Sequence, residues 1–361
     1  MMRTKSQSSL RFEFDEREAG AGRSTDETIS IAGRSVAVTP VFYAYWRFAA
    51  ERQKIFYRRL ERSHESLTDD PILAQFKFTN AYRASDRVSQ YLIRNVIYRD
   101  DLPQDEINLF FRIVLFKVFN KIETWQQLER QLGSIVWETF DFDRYDEILS
   151  SRMAGGERIY SAAYIMPSGG AAFGHKSKHQ NHLRMIEFLI DHEFPARLTA
   201  CKTMSDAFSL LLSVPSIGPF LAYQYATDLN YSTLTDFGED EFVVAGPGAL
   251  DGIDKCFIGA AELSPADIIR YMRDNQQRHF ADQGIDFATL WGRPLQLIDC
   301  QNVFCEISKY ARIAFPQYLG VAGRTRIKQK FSSAGALPSP WYPPKWRINS
   351  EIADKLSSDV I

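Results

Sequence analysis

Leu211–Tyr231 reads LLSVPSIGPFLAYQYATDLNY, and the identity of this stretch decides the reading of the whole chain. One apolar run ends in Val214-Pro215-Ser216-Ile217-Gly218-Pro219, and a second begins at once. Two helices are expected, with almost no room to turn between them. The stretch is either a tight helix corner or a clamp for phosphate. In the second case the unpaired backbone N–H groups at the start of the second helix attract an anion without reading base sequence. The usual text of such a clamp is Leu-Pro-Gly-apolar-Gly with Ala soon after. Val214–Ala222 follows it except at Ser216, which stands where the first Gly is expected. A serine there is strained if the turn requires φ > 0.

Outward from this point, the chain reads as mostly α-helical. Thr39-Pro40 is an N-cap with proline at the first helical position. Helical periodicity follows in PILAQFKFTNAYRASDRVSQYLIRNVIY, PQDEINLFFRIVLFKVFN, TWQQLERQLGSIVW, FDRYDEILSSRMA, KHQNHLRMIEFLIDHEF, SPADIIRYMRDNQQRHFADQ and QLIDCQNVFCEISKYARIAF. EFVVAG is the best strand pattern, and no internal repeat is found. Three parts are expected: a flexible polar arm over 1–38, a helical domain over 39–318 with the hairpin near 205–230, and a basic, aromatic tail over 319–361.

Composition sets outer limits. The 361 residues are 45% hydrophobic and 24% charged with a formal net charge of −2, as in ordinary globular proteins, so a DNA partner is neither demanded nor excluded. Cys201, Cys256, Cys300 and Cys305 follow no zinc spacing, and reduced thiols point to the cytoplasm. No apolar run reaches membrane-spanning length, and the first residues lack a signal-peptide core. His175, His179 and His182 would share one face if their segment is helical, but no further ligand completes a metal site. Lys176 and Lys178 are read instead as phosphate or solvent contacts. Neither metal, cofactor nor obligate protein partner is called for.

The turn matches that of helix-hairpin-helix DNA glycosylases, whose catalytic aspartate lies a short way past the hairpin. Asp236, Glu239, Asp240 and Glu241 crowd there, just before Gly246-Pro247-Gly248. Asp240 has the best spacing for a carboxylate that stabilises an oxocarbenium-like sugar, with Asp236 second. Such clusters are also ordinary solvated loops. Phe220 stands where strand-cutting glycosylases carry a Schiff-base lysine, so an intact backbone is expected after base removal. Asn80, Arg83 and Asp86 share a face if their segment is helical. So do Asp299, Asn302, Glu306 and Lys309, and Asp299 is the third candidate catalytic acid or base. Each set is either a polar pocket or a solvent-facing stripe.

FTNAYRASDRVSQYLI, FVVAGPGALDGIDKCF and LQLIDCQNVFCEISKYARI, in this order around the hairpin, resemble the alpha-glutamyl/putrescinyl thymine pyrophosphorylase family. That family is DNA-glycosylase-like and is associated with hypermodified pyrimidines in phage DNA; relatives include phage-defence glycosylases. The resemblance runs from about Phe42 to Phe315. It implies a helical glycosylase-like fold, base flipping from double-stranded DNA, and a pocket for a 5-substituted pyrimidine. Carried onto this chain, that pocket involves Asn80, Arg83, Asp86, Gly246, Gly248, Gln301, Asn302, Glu306 and Lys309. DNA is expected on Pro215, Ser216, Ile217, Gly218, Lys176, Lys178, Arg324 and Arg326. Hydrolytic excision of the base in antiphage defence is the leading expectation. Group transfer at the pyrimidine's 5-methylene carbon, displacing pyrophosphate by an amine or amino acid, is the second. A non-catalytic module that binds modified DNA is the third.

Overall fold

The computed structural model describes residues 27–61, 66–332, 335 and 337–358. The first 26 residues of the expected arm lie outside this range. The remainder of the arm is not irregular. It forms a hairpin of β1 (Thr28–Ile31) and β2 (Arg34–Val38), to which β3 (Phe257–Ile258) adds through Val38. Ile31, Val36 and Val38 are buried, and Ala32-Gly33 turn with positive φ, as a two-residue hairpin loop requires. The period-two apolar pattern was present in TISIAGRSVAV, masked by its polar neighbours.

The rest is helical, and its order is quickly given. Helix α1 (Pro40–Leu60) starts at the Thr39 cap, whose side chain accepts from the Val41 N–H. Next come α2 (Pro71–Gln75), α3 (Arg87–Leu92), α4 (Glu106–Phe119), α5 (Ile122–Leu132), α6 (Phe142–Ala154) and α7 (Gly170–Phe173). They are followed by α8 (Lys178–Asp191), α9 (Phe194–Thr199), α10 (Met204–Leu212) and α11 (Pro219–Leu229). The last are α12 (Pro247–Cys256), α13 (Pro265–Asp274), α14 (Gln276–Asp282), α15 (Leu297–Ala314) and α16 (Asn349–Ser358). No helix among the described residues is long and apolar enough to cross a membrane.

Helix α4 is buried all round because it is central: every residue from Asn108 to Phe119 is buried, Arg112 and Lys117 included. Helices α12 and α15 form the closest pair. A Cβ on Gly252 would fall 2.1 Å from the Phe304 carbonyl oxygen, so glycine is required for the two backbones to approach. Gly248 faces Cys305 on the same side. Two expected elements differ. EFVVAG is a loop, with only Val243 and Gly246 buried, because its chain runs straight into the α12 cap at Gly246. The long pattern beginning at Pro71 is broken. Residues 77–82 are non-helical and Arg83–Ser85 is a single 3-10 turn before α3.

Candidate functional site

The opening stretch is two helices joined by a tight turn. A Thr203/Asp206 capping box begins α10, and α11 starts at Gly218 with Pro219 in its first turn. Val214 and Ile217 are buried and anchor the turn. Ser216 sits at φ 71°, in the left-handed region that glycine occupies without strain. Helix α12 starts in the same style at Gly246-Pro247. Neither start is capped by a side chain, which leaves first-turn N–H groups for an outside acceptor. The two starts are neighbours. A Cβ on Gly246 would fall 2.5 Å from the Phe220 ring, and the ring's contact with Tyr164 is a near-parallel stack at 6.0 Å.

Behind Tyr164 lies a buried charged cluster. Asp228, in the last turn of α11, meets Arg83 at 2.7 Å and Lys117 of α4 at 2.6 Å. Gln224 accepts from Arg83 Nε at 3.1 Å, and the Tyr231 hydroxyl accepts from Nη1 at 2.9 Å. The Lys117 ammonium lies 4.2 Å from the centre of the Tyr164 ring. Burial pulls Lys117 down to about 8 against the attraction of Asp228. Burial works to raise Asp228, but Arg83 and Lys117 together hold it below the usual carboxylate range. Two cations share one carboxylate, so an excess positive charge is stored under an aromatic cover.

The α15 stripe serves this cluster by holding the chain that carries Arg83. Asp299 accepts the backbone N–H of Arg83 at 2.8 Å and that of Gln296 at 3.0 Å. Asn302 donates to the Thr79 hydroxyl and the Asn80 carbonyl, each at 3.1 Å, and Glu306 accepts from the Thr79 N–H at 3.0 Å. Lys309 pairs with Glu306 at 2.7 Å, and Gln301 is buried and turned toward Cys305. Asp86 accepts the Asn80 N–H at 2.8 Å. Asn80, Arg83 and Asp86 do converge, but along an irregular segment bound to α15 and not on a helix face. Burial pushes Asp86 up to about 7 and Asp299 up to about 6.

The acidic loop lies elsewhere. The Asp240 side chain is 46% exposed and pairs with Arg273 at 2.8 Å, while that of Asp236 is 86% exposed and lies 3.6 Å from Lys345. Glu239 is the inward member, held by Arg293 at 3.0 Å and the Trp346 indole at 2.9 Å. Sequence reasoning missed Lys117, Tyr164, Gln224 and Asp228. The available signals were a lysine inside a strongly apolar helix, and Gln224, Asp228 and Tyr231 at helical spacing directly after the hairpin.

The remaining expected contacts are scattered. Pro215 and Gly218 are exposed at the turn, Lys176 is exposed, and Lys178 lies over the Tyr160 ring at 4.5 Å. Arg324 and Arg326 are exposed, whereas two of the tail's aromatics pack onto the body: Tyr342 is buried with its hydroxyl 2.7 Å from that of Ser85, and Trp346 stacks on it. His179 pairs with Asp146 at 2.6 Å, and His182 bonds to Tyr160 and Pro167. Among the described residues no group of three or more His, Cys, Asp or Glu side chains could hold a metal ion.

A helical fold with a hairpin, a second helix start and a buried cationic cluster is the setting into which the comparisons fit. The chain belongs to the family described as 5-hmdU DNA kinase, helical domain, which matches residues 39–320. Among curated proteins it is similar to the 5-hmdU DNA kinase of Bacillus phage SP10, at 27% identity over 286 residues. The match covers 74% of this chain and 44% of that relative, so the chain spans less than half of the relative's length. No solved structure matches. The expected phage DNA-modification kinship stands at this level, but base excision does not. Both family and relative are named for a kinase, a transferase, which overturns the reading as an N-glycosylase hydrolase. The roles given to Asp240, Asp236 and Asp299 in glycosidic hydrolysis fall with it; the first two face solvent, and the third is tied up in backbone hydrogen bonds.

Proposed function

We propose that the chain serves group transfer at the 5-hydroxymethyl group of a pyrimidine in DNA, leaving the glycosidic bond intact. The observation that carries this reading is the family match over 39–320, which takes in the hairpin, the α12 start and the whole cluster. The hairpin and its neighbour offer backbone N–H groups to phosphate, which fixes DNA without reading sequence. A 5-substituent projects into the major groove of a duplex, so its nucleotide must leave the stack to reach a buried site. There Arg83 and Lys117 match an anionic substituent, once the Tyr164 ring moves aside. Two transfers fit that chemistry. The terminal phosphoryl of a nucleoside triphosphate passes to the 5-hydroxyl oxygen, which gives up its proton as the P–O bond to the departing nucleoside diphosphate breaks, or an amine nitrogen bonds to the 5-methylene carbon and loses a proton while the C–O bond breaks and its electron pair leaves with pyrophosphate.

Fluorescence anisotropy with three matched duplexes tests the reading. Affinity should rise from thymine to 5-hydroxymethyluracil to its pyrophosphorylated form. Equal affinity for all three would remove the basis for a site that reads the 5-substituent.

A further inference from the structure

Tyr160–Pro167 joins α6 to α7 without helix or strand, yet both its ends are held by one side chain. The Pro167 carbonyl can only accept, so His182 Nε2 carries the proton given to it at 2.7 Å, and Nδ1 accepts from the Tyr160 hydroxyl at 2.7 Å. Burial pulls this imidazole down to about 4, which keeps the neutral ring that the arrangement needs. Ser161 N–H donates to the Phe119 carbonyl at 2.9 Å, and the Tyr225 hydroxyl reaches the Met166 sulfur at 3.5 Å. The base of the loop is therefore braced against α4, α8 and α11.

Between the braces, neighbouring side chains go opposite ways. Tyr164 turns inward at φ 53° to cover Lys117 and stack on Phe220. Ile165 turns outward and is 77% exposed, the most exposed large apolar side chain among the described residues. The loop also abuts the hairpin turn: a Cβ on Gly169 would lie 3.8 Å from Ser216 Oγ. A lone exposed isoleucine normally needs no account. This one stands on a braced loop, immediately beside the aromatic cover of a buried cationic cluster and next to the hairpin turn to which the proposed function assigns phosphate.

We infer that Ile165 is a wedge that enters the DNA base stack as the hairpin seats on the backbone, filling the space left by the displaced nucleotide. The inference rests on the DNA reading above. Apolar side chains that enter base steps unstack them, and a nucleotide with its place filled returns slowly. Ile165 is then a positioning residue: it holds the nucleotide out and touches no reacting atom.

The experiment places 2-aminopurine next to 5-hydroxymethyluracil in a duplex and follows its fluorescence on adding the full chain. The wild type should brighten it, and Ile165→Ala should reduce that enhancement by about tenfold, while Ile165→Leu keeps most of it. Binding of Ile165→Ala to a duplex already opened by a mismatch at the modified base should match the wild type, a result that a purely structural defect would not give. Equal brightening by wild type and Ile165→Ala overturns the wedge and leaves the DNA reading standing. Failure of the wild type to bind the duplex overturns both.

Discussion

Asp228 and Asp240 are twelve positions apart and have opposite surroundings. Asp228 is 3% exposed and shared by two buried cations; Asp240 is half in solvent and paired with one arginine. The helix explains the contrast. Helix α11 runs inward directly from the hairpin, so its last turn carries Asp228 into the centre, while the loop after it returns to the surface. Distance along the chain from a landmark finds a neighbourhood, but only the direction of the helix says which carboxylate is enclosed.

The comparison can be broken by paired substitutions. Asp228→Asn leaves Arg83 and Lys117 buried without a countercharge and should cost about 3–5 kcal/mol, read as a lowered thermal midpoint. Asp240→Asn should cost under about 1 kcal/mol, as an exposed pair does. Similar losses from both would erase the distinction.

Lys117→Met sharpens it. The change leaves one cation for one carboxylate and fills the same apolar space, so stability should change by less than about 2 kcal/mol. The preference for a pyrophosphorylated 5-substituent over the hydroxymethyl group should nevertheless fall. An unchanged preference would take Lys117 out of the site.

Acid titration probes the segment that carries Arg83. Asp86 has an ordinary carboxyl value of 3.8 when unfolded and about 7 when folded. The folded state therefore keeps a proton that the unfolded chain gives up, and this contribution to stability is present below about pH 4 and lost as pH rises toward 7. Asp86→Asn removes that loss, so its thermal midpoint should gain on the wild type across this window. A constant difference at every pH would contradict the burial argument. The smallest effect belongs to the turn: Ser216→Gly relieves the positive φ and should stabilise by about 1 kcal/mol, with duplex binding unchanged. A loss of stability in Ser216→Gly would show that the serine hydroxyl contributes something the backbone strain conceals.

Much of the scaffold was legible in the sequence. Pro219 after Gly218, Pro40 after Thr39 and Pro247 after Gly246 each mark a helix start, because local capping chemistry acts within a few residues. The Asp299–Lys309 stripe was legible as a set, but its partner was not. Asp299 and Glu306 direct their hydrogen bonds to the backbone of Arg83 and Thr79, more than two hundred positions away, and no periodicity encodes that. The same holds for Lys117, whose apolar helix hides it among core residues until Asp228 is brought beside it. The β1–β2 hairpin was hidden by composition, because its outward face is as polar as the arm before it.

Nucleoside mass spectrometry tests the central claim most directly. Duplex DNA carrying 5-hydroxymethyluracil or its pyrophosphorylated form is incubated with the chain, with labelled ATP and magnesium in one arm and a labelled amine in the other. The account predicts a nucleoside whose mass has changed at the 5-substituent, with its glycosidic bond intact and label incorporated in one arm. Free base with abasic sites in the strand, or nucleosides unchanged in both arms, would contradict it.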